Sequence, residues 1–410
     1  MNPNTILTIL IVILCFGFLL ERVLEFLNIS RMKSEIPADL MGFYDQEKYQ
    51  LSQAYQKEKA RFGLLGSVIS FVGMLAMLAF GGFGHLDAWL RGYTENPYYL
   101  AIAFFGVLGL ASDLIGTPMS LYNTFVIEEK YGFNKTTAKI WIFDKIKGLL
   151  LAGIIGGLVI CALIWLVNTI GPNFWIWFWL GISALTLGIQ YLYTSVLLPI
   201  FNKLVPLEDG DLRQDIEAYS QKVDFPLDNI MIMDGSKRST KANAFFAGFG
   251  KRKRIVLFDT LVEQMSNSEI MAVLAHEVGH YKKKHIVQGT VLSILNIGLT
   301  LFLLSRLILE PSLSEALGAT KPGLHLALIA FAMLYSPFSQ ITGLGMNLLS
   351  RKNEYEADHY AKTTNDSEAL ASSLIKLHTE TLSNLDPHPA YVFMHFSHPT
   401  LVQRLNALRN

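Results

Sequence analysis

Two histidines and a glutamate stand together in His276-Glu277-Val278-Gly279-His280, and their spacing puts both imidazoles on one face if the segment is helical. Imidazoles placed this way can hold a zinc ion with a carboxylate beside it, the wiring of a metal-dependent peptidase. The flanking residues predict a helix. Ser266-Asn267-Ser268-Glu269 offers an N-cap and an acidic first turn, and Ile270, Val273, Leu274 and Val278 supply apolar spacing. The plainer alternative is a pair of surface histidines around a solvated glutamate.

A catalytic zinc needs three protein ligands and an open position for water. A metzincin would place Gly at 283 and His at 286, but Lys283 and Ile286 stand there, which removes that class. A carboxylate is the next option, and the best string is Arg351-Lys352-Asn353-Glu354-Tyr355-Glu356-Ala357-Asp358. Glu354 and Asp358 are one helical turn apart. Glu354 can therefore bind zinc while Asp358 accepts a hydrogen bond from the free ring nitrogen of a ligating histidine and fixes its tautomer. Glu356 points to the other side of such a helix, and His359 is a rival ligand out of phase with Glu354. Glu277 is then the general base, passing a proton from water to the leaving amine. The developing oxyanion needs a further donor, for which His398, with Arg404 behind it, is the candidate. A helix-starting turn with a capping role would account for His398 equally well.

The elements that must position these residues lie in a membrane. Charged residues make up 17% of the 410, below the roughly 25% usual for soluble chains. Seven segments are apolar and long enough to span: near 4–27, 62–82, 98–119, 148–170, 175–197, 286–309 and 323–350. The first is a retained anchor, because its start has no cation and its apolar stretch is long. Lys and Arg total 34 and balance 34 Asp and Glu, so no basic field argues for nucleic acid as a partner. The basic residues are nevertheless sorted. Arg31, Lys33, Lys48, Lys57, Lys59 and Arg61 follow the first span, and Lys130, Lys135, Lys139, Lys145 and Lys147 follow the third. Short basic loops stay cytoplasmic, which places the metal motif on the cytoplasmic side. Cys15 and Cys161 lie inside apolar runs and need no disulfide.

Between spans five and six the pattern predicts a helix from Asp211 to Val223 and a short strand from Ile230 to Met233. It also predicts a hairpin from Asn243 to Phe258, turning at Gly248 and Gly250. Four parts follow: 1–200 with five spans, 201–285 with the metal helix, 286–350 with spans six and seven, and 351–410 with the third ligand and terminal helices.

The chain resembles the type I CAAX prenyl endopeptidases, membrane zinc metalloproteases that remove the last three residues of prenylated proteins. The metal motif and Glu354-Tyr355-Glu356-Ala357-Asp358 carry the resemblance, with Asn243-Ala244-Phe245 ahead of Lys253-Arg254-Ile255-Val256-Leu257-Phe258-Asp259-Thr260. So do Glu128-Glu129-Lys130-Tyr131-Gly132-Phe133-Asn134 and the tail from His398 to Leu405. The resemblance implies one zinc ion on His276, His280 and Glu354, with Glu277 as base. It implies that Asn243, Ala244 and Phe245 form an edge strand beside the substrate, with His398 and Arg404 lining the cleft. For Asn243 a turn residue entering the hairpin is the simpler account. The implied fold is a mainly α membrane protein, a barrel of seven spanning helices around a water-filled chamber, capped by a gluzincin-like zinc domain with a small sheet. A chamber would also explain Asp113 within the third run, as would a buried hydrogen bond. The partners implied are a peptide or prenylated protein and the bilayer.

The short connection near 83–97 and the lack of a terminal dilysine signal lean toward a bacterial inner membrane over an endoplasmic reticulum. A quality-control protease without a prenyl requirement is the alternative function.

Overall fold

A computed structural model describes residues 2–33, 35–36, 41–42, 45–247 and 253–409. The chain is mainly helical. Six helical runs among the described residues are long and apolar enough to cross a membrane: Pro3–Ser30, Gln46–Ala79, Pro97–Glu128, Ala138–Phe201, His285–Leu307 and Leu324–Thr364. Seven were expected from the sequence, and the difference lies in Ala138–Phe201. There Gly171–Asn173 forms one tight 3-10 turn between Ala138–Ile170 and Phe174–Leu192, and these two arms pack on each other. Gly171 takes a positive φ of 65°, and Pro172 follows it, so the turn is short enough to leave the run helical throughout.

Local chemistry sets the helix starts. Asn2 and Asn96 each cap a helix whose first residue is proline, accepting the backbone N–H of Asn4 and of Tyr98. The helices also outrun their apolar stretches. Gln46–Ala79 begins well before the run near 62–82, so Lys48, Lys57, Lys59 and Arg61 ride on helix where a loop was expected. Lys139, Lys145 and Lys147 likewise lie on Ala138–Ile170. A helix bonds its own backbone and has no reason to stop where the hydrocarbon ends. The clearest case is Leu324–Thr364, 41 residues or about 60 Å, which runs unbroken from its apolar half through Arg351 to Asp358.

The sheet is larger than the expected hairpin. Four strands, β1 (Leu204–Pro206), β2 (Leu227–Met233), β3 (Ala244–Ala247) and β4 (Lys253–Phe258), lie in the order β1-β2-β4-β3. β3 and β4 pair antiparallel as expected, with Ala244 opposite Leu257, but β2 joins β4 in parallel and β1 adds antiparallel to β2. Alternation of apolar residues does not specify a parallel partner, so sequence alone missed this pairing. Gly248 and Gly250, expected at the turn, lie outside the described residues. β3 is left at an edge of the sheet.

Two large cores result, with smaller clusters beside them. One joins the sheet to the helices of the metal region through Ile216, Ile255, Leu257, Ile270, Leu274, Val278, Leu370 and Leu401. The other gathers Ile6, Leu10, Leu78, Phe104, Leu166, Phe174 and Leu326 at the far end of the helical bundle. Between them, the spans bury few of their own residues, only 6% of the most apolar stretch of Gln46–Ala79.

Candidate metal centre

The helix Asn267–Lys282 starts as its sequence predicts. Ser266 accepts from the backbone N–H of Glu269, and the Glu269 carboxylate accepts from the backbone N–H of Ser266. Glu269 does more than cap. It also accepts from Ser372 Oγ at 2.6 Å and Lys376 Nζ at 2.7 Å, tying this helix to Ser367–Glu380. Burial works to raise its pKa, but the bonds from Lys376, Ser372 and Ser266 outweigh that and hold it at about 2.

Across from it lies Leu324–Thr364. The helices meet at Gly279, where an added Cβ would stand 3.0 Å from Ala357 Cα and 3.1 Å from its carbonyl oxygen. A side chain at 279 would force the neighbouring helix to give by a few tenths of an ångström, so glycine favours the close approach that carries Glu354 beside the histidines.

Among the described residues, His276, His280 and Glu354 form the group able to hold a cation, with ligand atoms all within 4.8 Å of one another. The Nε2 atoms of His276 and His280 are 3.1 Å apart. Glu354 Oε1 lies 3.3 Å from His280 Nε2, and Oε2 lies 3.5 Å from His276 Nε2. Ligands at about 2.0–2.1 Å from a tetrahedral ion would stand about 3.3 Å apart, which these separations match in scale. Glu354 is 4% exposed, and its Oε2 accepts no hydrogen bond from the described residues. That oxygen lies 3.5 Å from His276 Nε2 and 3.5 Å from Arg404 Nη1, and a metal ion would supply the partner it lacks. The donor set therefore fits a metal ion.

Asp358 takes the place expected of it, accepting from His276 Nδ1 at 2.8 Å. That bond fixes the ring so that Nε2 faces Glu354 and His280. Burial works against a charged His276, but the neighbouring carboxylates Asp358 and Glu354 outweigh it and push the imidazole up to about 9. Cation binding requires neutral imidazole and would release that proton.

Arg404 lies behind Asp358. It lines a cavity of ≈ 540 Å³ with His378, His395 and His398, yet the residue is only 6% exposed. Its guanidinium grips Asp358 through Nε at 2.8 Å and Nη2 at 2.6 Å, and Nη1 stands 3.5 Å from Glu354. This geometry ties Arg404 to both carboxylates while it also borders the cavity. His398 is exposed, and its Nε2 reaches to 3.3 Å of Glu354 Oε1.

Glu277 is partly buried between the ligands. Desolvation raises its pKa, opposed by His276 and His280. Asn243 is exposed just before the edge strand β3, its side chain accepting from Ala244 N at 2.9 Å and its carbonyl from Phe258 N at 3.0 Å. β3 lies against the helix Asn267–Lys282. Phe245 faces Tyr193 and Phe258, with ring centroids 6.2 and 6.4 Å away. His359 is exposed and outside the ligand group, and Glu356 is on the far side of its helix. Sequence reasoning missed His285, which touches His280. Its one signal was its place five residues past His280, beyond the motif that drew attention.

Comparison with known proteins agrees with this geometry. Residues 25–203 match the family described as CAAX prenyl protease N-terminal, five membrane helices, and residues 206–410 match peptidase family M48. The CAAX prenyl protease 1 homolog of Oryza sativa is 35% identical, covering 97% of this chain and 96% of its own. CAAX prenyl protease 1 of Saccharomyces cerevisiae is 36% identical over 92% of this chain and 89% of its own. The crystal structure of S. mikatae Ste24p superposes with a TM-score of 0.94 at 32% identity, covering 99% of both chains. These relatives are eukaryotic, so the lean toward a bacterial member is not borne out. The chain belongs to peptidase family M48, in its CAAX prenyl protease branch, and is a multi-pass membrane metalloendopeptidase.

Proposed function

We propose that this peptidase uses one zinc ion on His276, His280 and Glu354 to cut a peptide bond near the C-terminus of prenylated, CAAX-type proteins. The observation that carries the ligand assignment is the cluster of ligand atoms: the two Nε2 atoms 3.1 Å apart, Glu354 Oε1 at 3.3 Å from His280, and the unsatisfied Oε2 at 3.5 Å from His276. A zinc ion held there would supply Lewis-acid polarisation of the scissile carbonyl and would acidify the attacking water. Glu277, the only carboxylate between the two histidines in sequence, would take the proton from the attacking water and pass it to the leaving amine. His398 Nε2 donates to the developing oxyanion from the exposed side of the ligand group. Asp358 and Arg404 keep the His276 ring in its binding tautomer. The free edge of β3, entered at Asn243, pairs with the extended substrate backbone, which leaves sequence preference to the side-chain pockets.

The prenylated substrate rests on the family, whose named relatives are CAAX prenyl proteases. Two spans within Ala138–Phe201, reversing at Gly171–Asn173, give seven in all. The sparse burial along the spans supports a hollow bundle, since a solid one would bury a face of every helix. Asp113 fits that reading: it pairs with Lys145 at 3.0 Å and lines a cavity of ≈ 600 Å³ with Asp144 and Arg238. The basic residues near the metal region support a site on the cytoplasmic face. The test is cleavage of one peptide in farnesylated and unmodified forms by the purified protein. Strong preference for the farnesylated form is expected, and indifference would point to a general membrane-protein protease.

A further inference from the structure

We propose that His285 is a positioning residue of the metal centre, accepting the Nδ1–H of His280 and donating its own Nε2–H to Glu356. The second histidine would thus be held from behind as Asp358 holds the first. The inference rests on the reading of His276, His280 and Glu354 as ligands.

Three contacts lead to it. His280 Nδ1 stands 3.0 Å from His285 Nδ1, and His285 Nε2 stands 3.2 Å from Glu356 Oε2. His285 is 7% exposed, so its ring has little recourse to water. Glu356 is partly exposed, with Lys352 Nζ at 3.6 Å from its other oxygen.

The tautomers follow from these contacts without further choice. His280 turns Nε2 toward Glu354 and His276, so that nitrogen carries the lone pair when a cation is held and the proton sits on Nδ1. That proton points at His285 Nδ1, which must therefore accept. The remaining proton of a neutral His285 is then on Nε2, and it meets a carboxylate. Every ring nitrogen in the relay has one role, and no two donors face each other. Ligating histidines commonly give their second N–H to a carboxylate or carbonyl, and here an imidazole stands between ligand and carboxylate.

The backbone is shaped to make this contact. Asn267–Lys282 ends, and Lys284 adopts a left-handed φ of 60° before His285 opens the next helix. Lysine takes that conformation at a cost, and such strain persists where the surroundings require it. The turn sets His285 beside the ring of His280, with centroids 5.1 Å apart and planes at 75°. Glu354 and Glu356 then serve opposite sides of one helix, the first facing the ligand group and the second its support.

The experiment uses the full-length protein in detergent, loaded with Zn2+ alone and titrated with a chromophoric chelator. His285→Phe keeps the ring's bulk but accepts no proton, and it should weaken Zn2+ retention by about 10–100-fold. His285→Asn keeps an oxygen near the Nδ1 position and should recover most of that loss. The absorption spectrum of the Co2+-loaded protein should change in His285→Phe and return toward wild type in His285→Asn. Unchanged Zn2+ affinity in His285→Phe overturns the proposal. Equal weakening in both variants assigns His285 to packing alone and overturns it as well. His280→Ala is the control for the underlying assignment: wild-type Zn2+ affinity in that variant would overturn the ligand set itself, separately from His285.

Discussion

Glu277 and the histidines around it differ in what their loss should do. Glu277→Gln is isosteric and alters none of the three ligands, so stoichiometric metal is expected to remain. Peptide cleavage should fall by about 10²–10⁴-fold, the usual contribution of a positioned base. Metal analysis and single-turnover cleavage on one preparation would check both, and full activity would remove Glu277 from the base role. At this scale the sequence was informative about residue types and less so about contacts. Glu354 and Asp358 could be picked because a helical turn separates them. That Arg404 closes on Asp358 with two bonds, and that Glu356 is joined to His285, could not be read from spacing.

Helix-on-helix contact decides whether those residues meet. Gly279 lies where Asn267–Lys282 touches Ala357, so Gly279→Ala should push the helices apart and pull Glu354 away from both imidazoles. Overpacking of this kind costs about 1–3 kcal/mol. The expected outcome is a lower melting temperature together with weaker metal retention, and a variant that melts lower while holding metal as before would show that the gap does not set the ligand triangle. Glu269 fastens the same helix on its other side. Its folded pKa of about 2 lies below the ordinary 4.5, so its contribution to stability is fully present above pH 4.5. As pH falls from there through about 2, the contribution is lost. Glu269→Gln should therefore cost about 1–3 kcal/mol near neutrality, as for a hydrogen bond to a charged group. The gap between variant and wild type should close in acid, measured by thermal unfolding across that range.

Over the whole molecule, the peptidase region is stitched to the membrane helices by charge pairs. Arg238 holds Asp144 at 2.7 and 3.0 Å, and Lys241 reaches Glu128 at 2.9 Å and Tyr55 at 3.1 Å. Tyr55 donates to the same Glu128 at 2.6 Å, which gives a physical reason for the acidic run from Glu128. Lys241 is two residues before Asn243, and its carbonyl accepts from Thr260 Oγ1 at 3.1 Å. Lys241→Met should loosen the approach to β3 without touching the ligands. A several-fold rise in KM for a farnesylated peptide with little change in kcat is expected from steady-state kinetics. A fall in kcat at constant KM would instead mean that the tether acts on the metal centre.

The sequence by itself determined what local physics can specify. Apolar runs near 4–27 or 98–119 must be helices in lipid, because no other open structure satisfies its own backbone there. Ser266 and Glu269 start the metal helix, and a four-residue spacing aligns its histidines. Apolar periodicity could not show that β2 lies parallel to β4. Nor could it find His285. Those features depend on residues far apart in the chain or on a backbone turn such as Lys284, and their energies exist only once the helices have closed against each other. The tertiary structure therefore decided which carboxylate faces which imidazole, because that depends on how closely two helices meet at Gly279 and Ala357, and no residue pattern along the chain encodes it.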